Sequence, residues 1–351
     1  MEFFKGWFGG GAPKKPPPAP ARMLGPELPP LVFRSGTTLP IVDWQATDPN
    51  VPATVDAAAL DAFWTALARK WLEALGAALG ERYAIGDSER FLLLSTLEPS
   101  RANVVLNFVE RTRRRVLLVI EGIARETEMG KVCVLVFDSQ DRYYEYVSNY
   151  DVAEGEYSLS SGMFIQRGYG HFVFVASEVS AMEPTIAHEL THCMVQHLPL
   201  PAWLNEGIAV NTEYRLCPPG RPLYTPAQMQ EKHLKFWSEL TIQEFWSGKS
   251  WRRPDEGNML SYDLAKHFVV LASREYDAFR AFANAADVAD SGNAAALEHL
   301  GYPVGNLAEA VLGEGAWAPQ PETWKDGIER GQFRISSPHP NPLPGGEGKK
   351  K

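Results

Sequence analysis

The chain has 351 residues, 45% of them hydrophobic, and a formal net charge of −9. That length and apolar content suffice for a substantial core in one large domain or two closely joined ones. The acidic balance argues against a general nucleic-acid binder, which needs a basic face, and no stretch is apolar for long enough to span a bilayer. The three cysteines, Cys133, Cys193 and Cys217, have neither zinc-knuckle nor redox spacing. So sparse and odd a count fits a reducing compartment, although one disulfide stays open as an alternative. The first residues, Met1 to Gly11, lack the apolar core of a signal peptide, so the expected localisation is cytoplasmic.

Residues 1–30 read as an arm outside the folded region. Phe3, Phe4, Trp7 and Phe8 form an aromatic tip, followed by a Gly- and Pro-rich linker. The tip offers a weak contact to a partner or a membrane surface and is too short for stable anchoring alone. A loose terminus, or one packed on its own domain, is the plainer reading. After a Pro-broken extended stretch to residue 56, Leu60, Phe63, Trp64, Leu67, Trp71 and Leu75 recur at helical spacing, which predicts a helix from Ala57 to Gly80. Phe91 to Leu94 reads as a strand. Ser100 to Ala124 reads as a helix with Val105, Phe108, Val109, Val116, Ile120 and Ile123 inward. Its Arg111, Arg113, Arg114 and Arg115 form either a phosphate patch or, the plainer reading, a solvated face balanced by Glu110 and Glu121.

Val132 to Phe137 is a continuous apolar run of strand length, expected in the centre of a sheet with both faces covered. Asp138 is the expected cap of a short helix containing Tyr143, Tyr144 and Tyr146. Gly162 to Ala176 reads as a hairpin turning through Gly168-Tyr169-Gly170, its last strand expected at the edge of a substrate cleft. Pro184 suits the first turn of the next helix.

That helix carries His188-Glu189-Leu190-Thr191-His192. Residues four apart lie about 400° round a helix, so both imidazoles leave one face, one turn apart, and can reach one Zn²⁺. Glu189 then lies beside the open position of the metal, where a carboxylate can take a proton from metal-bound water. A catalytic zinc wants a third protein ligand. Glu206 is the best candidate, since the Leu198-Pro-Leu-Pro201 break lets the chain turn into a second helix. The metzincin pattern fails, because Val195 and Leu198 stand where its Gly and third His would fall. His197 points away from the metal. Cys193 reads as a core-facing thiol, with a redox-sensitive neighbour of the metal as the minor reading.

His-Glu-Leu-Thr-His followed by Pro201-Ala-Trp-Leu-Asn-Glu-Gly-Ile-Ala209 resembles the gluzincin clan of zinc metallopeptidases, in particular the compact peptidase MA-like families. The likeness is strongest over residues 185–209 and extends loosely, as an order of elements, over 85–315. It implies a zincin-like α+β fold: a small mixed sheet with an edge strand beside the active-site helix, then a mostly helical C-terminal subdomain. It also implies His188, His192 and Glu206 as ligands of one Zn²⁺ per chain and Glu189 as general base. Trp203 and Leu204 are expected beneath the metal helix, with Gly207 allowing close helix approach. Glu213, two turns after Glu206, reads equally as a partner of a ligand His or as a surface salt-bridge residue. Val210 stands where the thermolysin-like branch carries an Asp, so the surroundings of the ligands depart from that branch.

Thr225-Pro-Ala-Gln228 predicts a capping box and a helix to Phe236 or Trp237. Ser247 to Asn258 reads as a polar rim loop. Ser261 to Leu271 resembles the later helix of these families, whose tyrosine faces the zinc. By that resemblance Tyr262 supports the developing oxyanion, and a buried structural Tyr would look the same; His267 is the weaker alternative. Packing helices are expected over 276–286, 294–300 and 306–312.

The expected organisation is an arm over 1–30, an α+β subdomain with the metal site over 31–215, a helical subdomain over 216–335 and a low-complexity tail over 336–351. Two functions compete. One is a zinc-dependent hydrolase of peptide or protein substrates. The other is a catalytically silent binding or scaffold module on the same fold, against which the intact Glu189 speaks, since holding zinc does not require that carboxylate.

Overall fold

A computed structural model describes residues 28–47, 56–126, 129–150, 162–165, 168–217, 220 and 222–324. The aromatic tip (Phe3, Phe4, Trp7, Phe8), its linker and the C-terminal tail lie outside the described residues. The described chain is α+β, with one five-stranded mixed sheet and helices on both of its faces.

Its first half alternates helix and strand: α1 (Trp44–Thr47), α2 (Ala57–Leu79), β1 (Ala84–Asp87), β2 (Phe91–Ser95), α3 (Pro99–Val119), β3 (Val132–Phe137), α4 (Gln140–Val147), β4 (Gly162–Ile165) and β5 (His171–Val175). The sheet order is β1-β2-β3-β5-β4. The two inner pairs, β2–β3 and β3–β5, are parallel and the two outer pairs are antiparallel. β3 is central and every residue in it is buried, as its unbroken apolar run predicts. Side chains alternate between two cores. Phe91, Leu93, Val132, Val134, Val136, Phe164, Phe172 and Phe174 face one, with α3. Leu92, Leu94, Cys133, Leu135, Phe137, Met163 and Val173 face the other, with α2 and α4.

The helical second half follows: α5 (Val179–Val195), α6 (Ala202–Leu216), α7 (Pro226–Phe236), α8 (Thr241–Ser247), α9 (Gly257–Ala272), α10 (Tyr276–Ala285), α11 (Asn293–His299) and α12 (Gly305–Leu312). α5 packs on α3, α6 and β4, and α6 packs on α9. One continuous apolar cluster runs from the sheet through Ile186 and Leu190 of α5 to Phe268, Phe282 and Trp324, so it crosses residue 216 without a break. α5 therefore lies in the interior of the molecule. α6 and α9 come close because Gly207 faces α9: a Cβ there would sit 2.6 Å from the carbonyl oxygen of Ala265.

Several local expectations change. The hairpin forms, but its first strand β4 is at the edge, and β5 lies inside, paired with β3. Both strands carry apolar residues to both cores, and the inner place falls to β5 because it is the one that pairs with β3. β1 is an additional strand, too short and polar to stand out in the sequence. Ser139, not Asp138, caps α4; the Asp138 carboxylate instead accepts from the Tyr83 hydroxyl and pairs with Arg82. Pro184 lies inside α5 rather than in its first turn, because the helix starts at Val179. The stretch 247–258 is largely helical, with Ser250 and Trp251 buried. Trp203 turns toward the C-terminal helices, against Trp246, Phe268 and Phe282. The arginines of α3 are used within the chain. Arg113 is buried beside Glu110 and pairs with the exposed Glu126, Arg114 pairs with Glu89, and Arg115 donates to the Leu216 carbonyl.

Candidate metal centre

α5 and α6 bring three ligand atoms together in the interior. His188 and His192, one turn apart, set their imidazoles edge to face with ring centres 4.8 Å apart. The chain then turns at Pro199–Pro201 and α6 starts at Ala202, so Glu206 enters on its second turn and reaches both rings. Glu206 Oε2 lies 3.3 Å from His188 Nε2 and 3.4 Å from His192 Nε2, and the two Nε2 atoms are 3.1 Å apart. These three residues are a buried group that could hold a metal ion.

The spacing itself tests the fit. Ligands 2.0–2.1 Å from a tetrahedral ion stand about 3.3–3.4 Å apart, close to the triangle described by these atoms. The hydrogen bonds point the same way. His188 Nδ1 faces Glu213 Oε2 at 3.2 Å, and His192 Nδ1 faces Asn205 Oδ1 at 3.0 Å. Each partner is an acceptor, so each Nδ1 carries its proton outward and each Nε2 turns its lone pair inward. Two nitrogen lone pairs and a carboxylate oxygen converging on one point repel one another until a cation lies between them. The donor set therefore fits a divalent metal of the imidazole–carboxylate class.

Electrostatics agree. Glu189, Glu206 and Glu213 bring three buried carboxylates against two imidazoles. Burial alone would lower the His188 pKa, but hydrogen bonds to Glu206 and Glu213 and the charge of both Glu206 and Glu189 override it and raise it to about 10. Burial would raise the Glu206 pKa, yet the neighbouring charge of His192 and the hydrogen bonds from both imidazoles lower it to about 2. Where no metal is bound, a proton takes the cation's place, and metal binding must displace it.

Glu189 is fully buried on the neighbouring face of α5, and its Oε2 accepts the backbone N–H of Phe164 from β4 at 2.7 Å. The edge strand thus fixes one oxygen of this carboxylate. The ring of Tyr262, from α9, is 6.3 Å from the ring of His188, centre to centre, and is buried. His267 is half exposed and pairs with Asp263, away from the ligands. His197 is exposed beyond the end of α5, and Cys193 is buried.

Glu213 resolves to the interior: it holds a ligand imidazole rather than a surface cation. Asn205 is the site residue that pattern reading passed over. It directly precedes Glu206, and the signal was available, because a side chain on the first turn of α6 is the nearest polar group to the outward nitrogen of His192. The Phe164 contact left no side-chain signal, since its donor is main chain. Compared with known protein families, curated proteins and solved structures, the chain shows no significant match to any.

Proposed function

We propose that this protein is a zinc-dependent peptide-bond hydrolase with a zincin-like, gluzincin-type site. The observation that supports this reading is the convergence of His188 Nε2, His192 Nε2 and Glu206 Oε2 at tetrahedral spacing beside a buried, oriented Glu189. A zinc ion held by His188, His192 and Glu206 would supply an acidified water and a Lewis acid for the scissile carbonyl. Glu189 takes the proton of the attacking water and passes it to the leaving amine. The Phe164 N–H holds Glu189 Oε2 in place for that transfer. Glu213 and Asn205 keep both imidazoles in the Nδ1–H tautomer, so that Nε2 stays a ligand. The Tyr262 hydroxyl donates to the oxygen on which charge develops. Substrate main chain pairs with the outer edge of β4.

Two measurements test this reading. Metal analysis of the purified full-length chain should give about one zinc per chain, lost in His188→Ala and in Glu206→Ala. Chelator-sensitive cleavage of a peptide library should then disappear in Glu189→Gln while the zinc remains. Zinc bound without any cleavage, across a range of pH and peptide lengths, would favour the silent scaffold instead.

A further inference from the structure

A cavity lies away from the candidate metal centre. It measures about 420 Å³ and sits where the loop before β3, the β4–β5 turn and the C-terminal end of α5 meet. None of His188, Glu189, His192, Glu206 or Tyr262 lines it. Its volume falls within the range of small-molecule sites.

The walls are aromatic and held in place. Tyr169 lies 5.5 Å from Trp44 and 6.3 Å from Trp64, ring centre to ring centre. Its hydroxyl donates to the Lys131 carbonyl at 2.7 Å, which fixes the ring and spends its polar atom on the protein. Gly168, at φ +71°, lets the turn pass directly against the Trp44 ring, where a Cβ would overlap it. Phe164 and Met129 complete the apolar lining. Rings fixed in advance lose little further freedom when something packs on them.

The charged lining is of both signs, and most of it is already paired. Glu126 pairs with Arg113, and the Lys131 ammonium turns away to Asp87 and the Ser88 carbonyl. Arg125 differs. Its backbone N–H is anchored on the Met194 carbonyl at the end of α5, its side chain is exposed, and among the described residues its guanidinium has no ion pair. An aromatic slot with one open guanidinium is complementary to a flat or short apolar group carrying a carboxylate.

We infer that this cavity is a binding site for a small aromatic or short-chain aliphatic acid, with the apolar part packed against the wall formed by Trp44, Trp64 and Tyr169 and the carboxylate on Arg125. The site is separate from the metal centre and does not depend on the activity proposed above.

The probe is 2-naphthoate, with neutral 2-naphthalenemethanol as its uncharged counterpart. Binding is followed by calorimetry and by probe fluorescence on the full-length chain, as purified and again after chelator treatment. The expected result is one saturable site per chain, unaffected by chelation, with the acid preferred about tenfold over the alcohol. Arg125→Gln, an exposed change that spares the core, should remove that preference and leave the alcohol unaffected. Gln196→Trp, which puts an indole into the cavity, should weaken both probes. Absence of saturable binding up to millimolar probe overturns the inference. So does equal affinity for acid and alcohol in the native chain, a preference that survives Arg125→Gln, or binding that chelation abolishes, which would place the carboxylate on the metal instead.

Discussion

The sharpest test of the metal centre is the carboxylate behind His188. Glu213 Oε2 accepts the His188 Nδ1 proton at 3.2 Å, and both side chains are buried. Glu213→Ala strips that proton of its acceptor and frees the ring to rotate or to change tautomer. Outer-shell partners of ligand histidines are worth about 10- to 100-fold in metal affinity. The 3.2 Å separation is longer than the about 2.7–2.9 Å of a strong charge-assisted hydrogen bond, so the lower half of that range applies. We expect about 30-fold weaker zinc binding for Glu213→Ala, equivalent to about 2 kcal/mol. Glu213→Gln keeps an acceptor oxygen and loses only the charge, so its loss should be smaller, about fivefold. The assay is competition for zinc against a chromophoric chelator at fixed pH, with near-ultraviolet circular dichroism to confirm that each variant keeps native packing. A Glu213→Ala protein that is natively packed and binds zinc within threefold of wild type would refute the idea that this carboxylate orients the ligand.

Other outcomes follow from packing and burial. Gly207→Ala places a methyl 2.6 Å from the Ala265 carbonyl oxygen and 2.7 Å from Val269 Cγ2. The about 1 kcal/mol gained from helix propensity is outweighed by overpacking of about 1–3 kcal/mol, so thermal unfolding should show a lower midpoint, and an unchanged or raised Tm would contradict the close α6–α9 crossing. His171 is buried behind the sheet, with Nδ1 on the Tyr169 carbonyl and Nε2 accepting from Tyr146, and burial lowers its pKa to about 4. A folded pKa below the unfolded value of about 6.5 means the unfolded chain takes up the proton first, so stability falls as pH drops from about 6.5 to about 4, by about 3 kcal/mol in all. Urea midpoints of the metal-free chain should decline between pH 6.5 and 5 in the wild type and stay flat in His171→Gln; a flat wild-type profile would show that His171 is not held neutral. Tyr262→Phe should leave zinc content unchanged and, where cleavage is found, lower kcat by about 10²-fold; an unchanged kcat would return Tyr262 to a packing role.

Much of this arrangement was legible in the sequence because it depends on short-range periodicity. His188 and His192 had to share a face once α5 was a helix, and Glu206 had to return to them once the prolines at 199 and 201 ended it. The unbroken apolar run of β3 foretold a central strand, and all six residues picked as the inward face of the Ser100–Ala124 stretch are buried. What was not legible depends on partners far apart in the chain. Which strand of the β4–β5 hairpin lies outside is decided by which one pairs with β3, and both strands are apolar. The destination of Trp203 required knowing that Trp246, Phe268 and Phe282 gather on that side. Asn205 was legible in principle, since its place follows from Glu206 by one residue, but only once the outward nitrogen of His192 was treated as a donor needing an acceptor.

One residue touches both sites. Phe164 gives its N–H to Glu189, and its ring walls the aromatic cavity. α5 and β4 run side by side: Thr185 packs by Gly162, Glu189 bonds at Phe164, and Gln196 approaches Gly170 just past the turn. Glu189, Cys193 and Gln196 therefore lie along one stripe of the helix, with the candidate general base at one end and the cavity at the other, about 10 Å apart at 1.5 Å per residue. The donor of this bond is main chain, so it moves with β4. β4 thus touches both the Glu189 carboxylate and the cavity, while α6 holds the imidazoles from the other side through Asn205, Glu206 and Glu213.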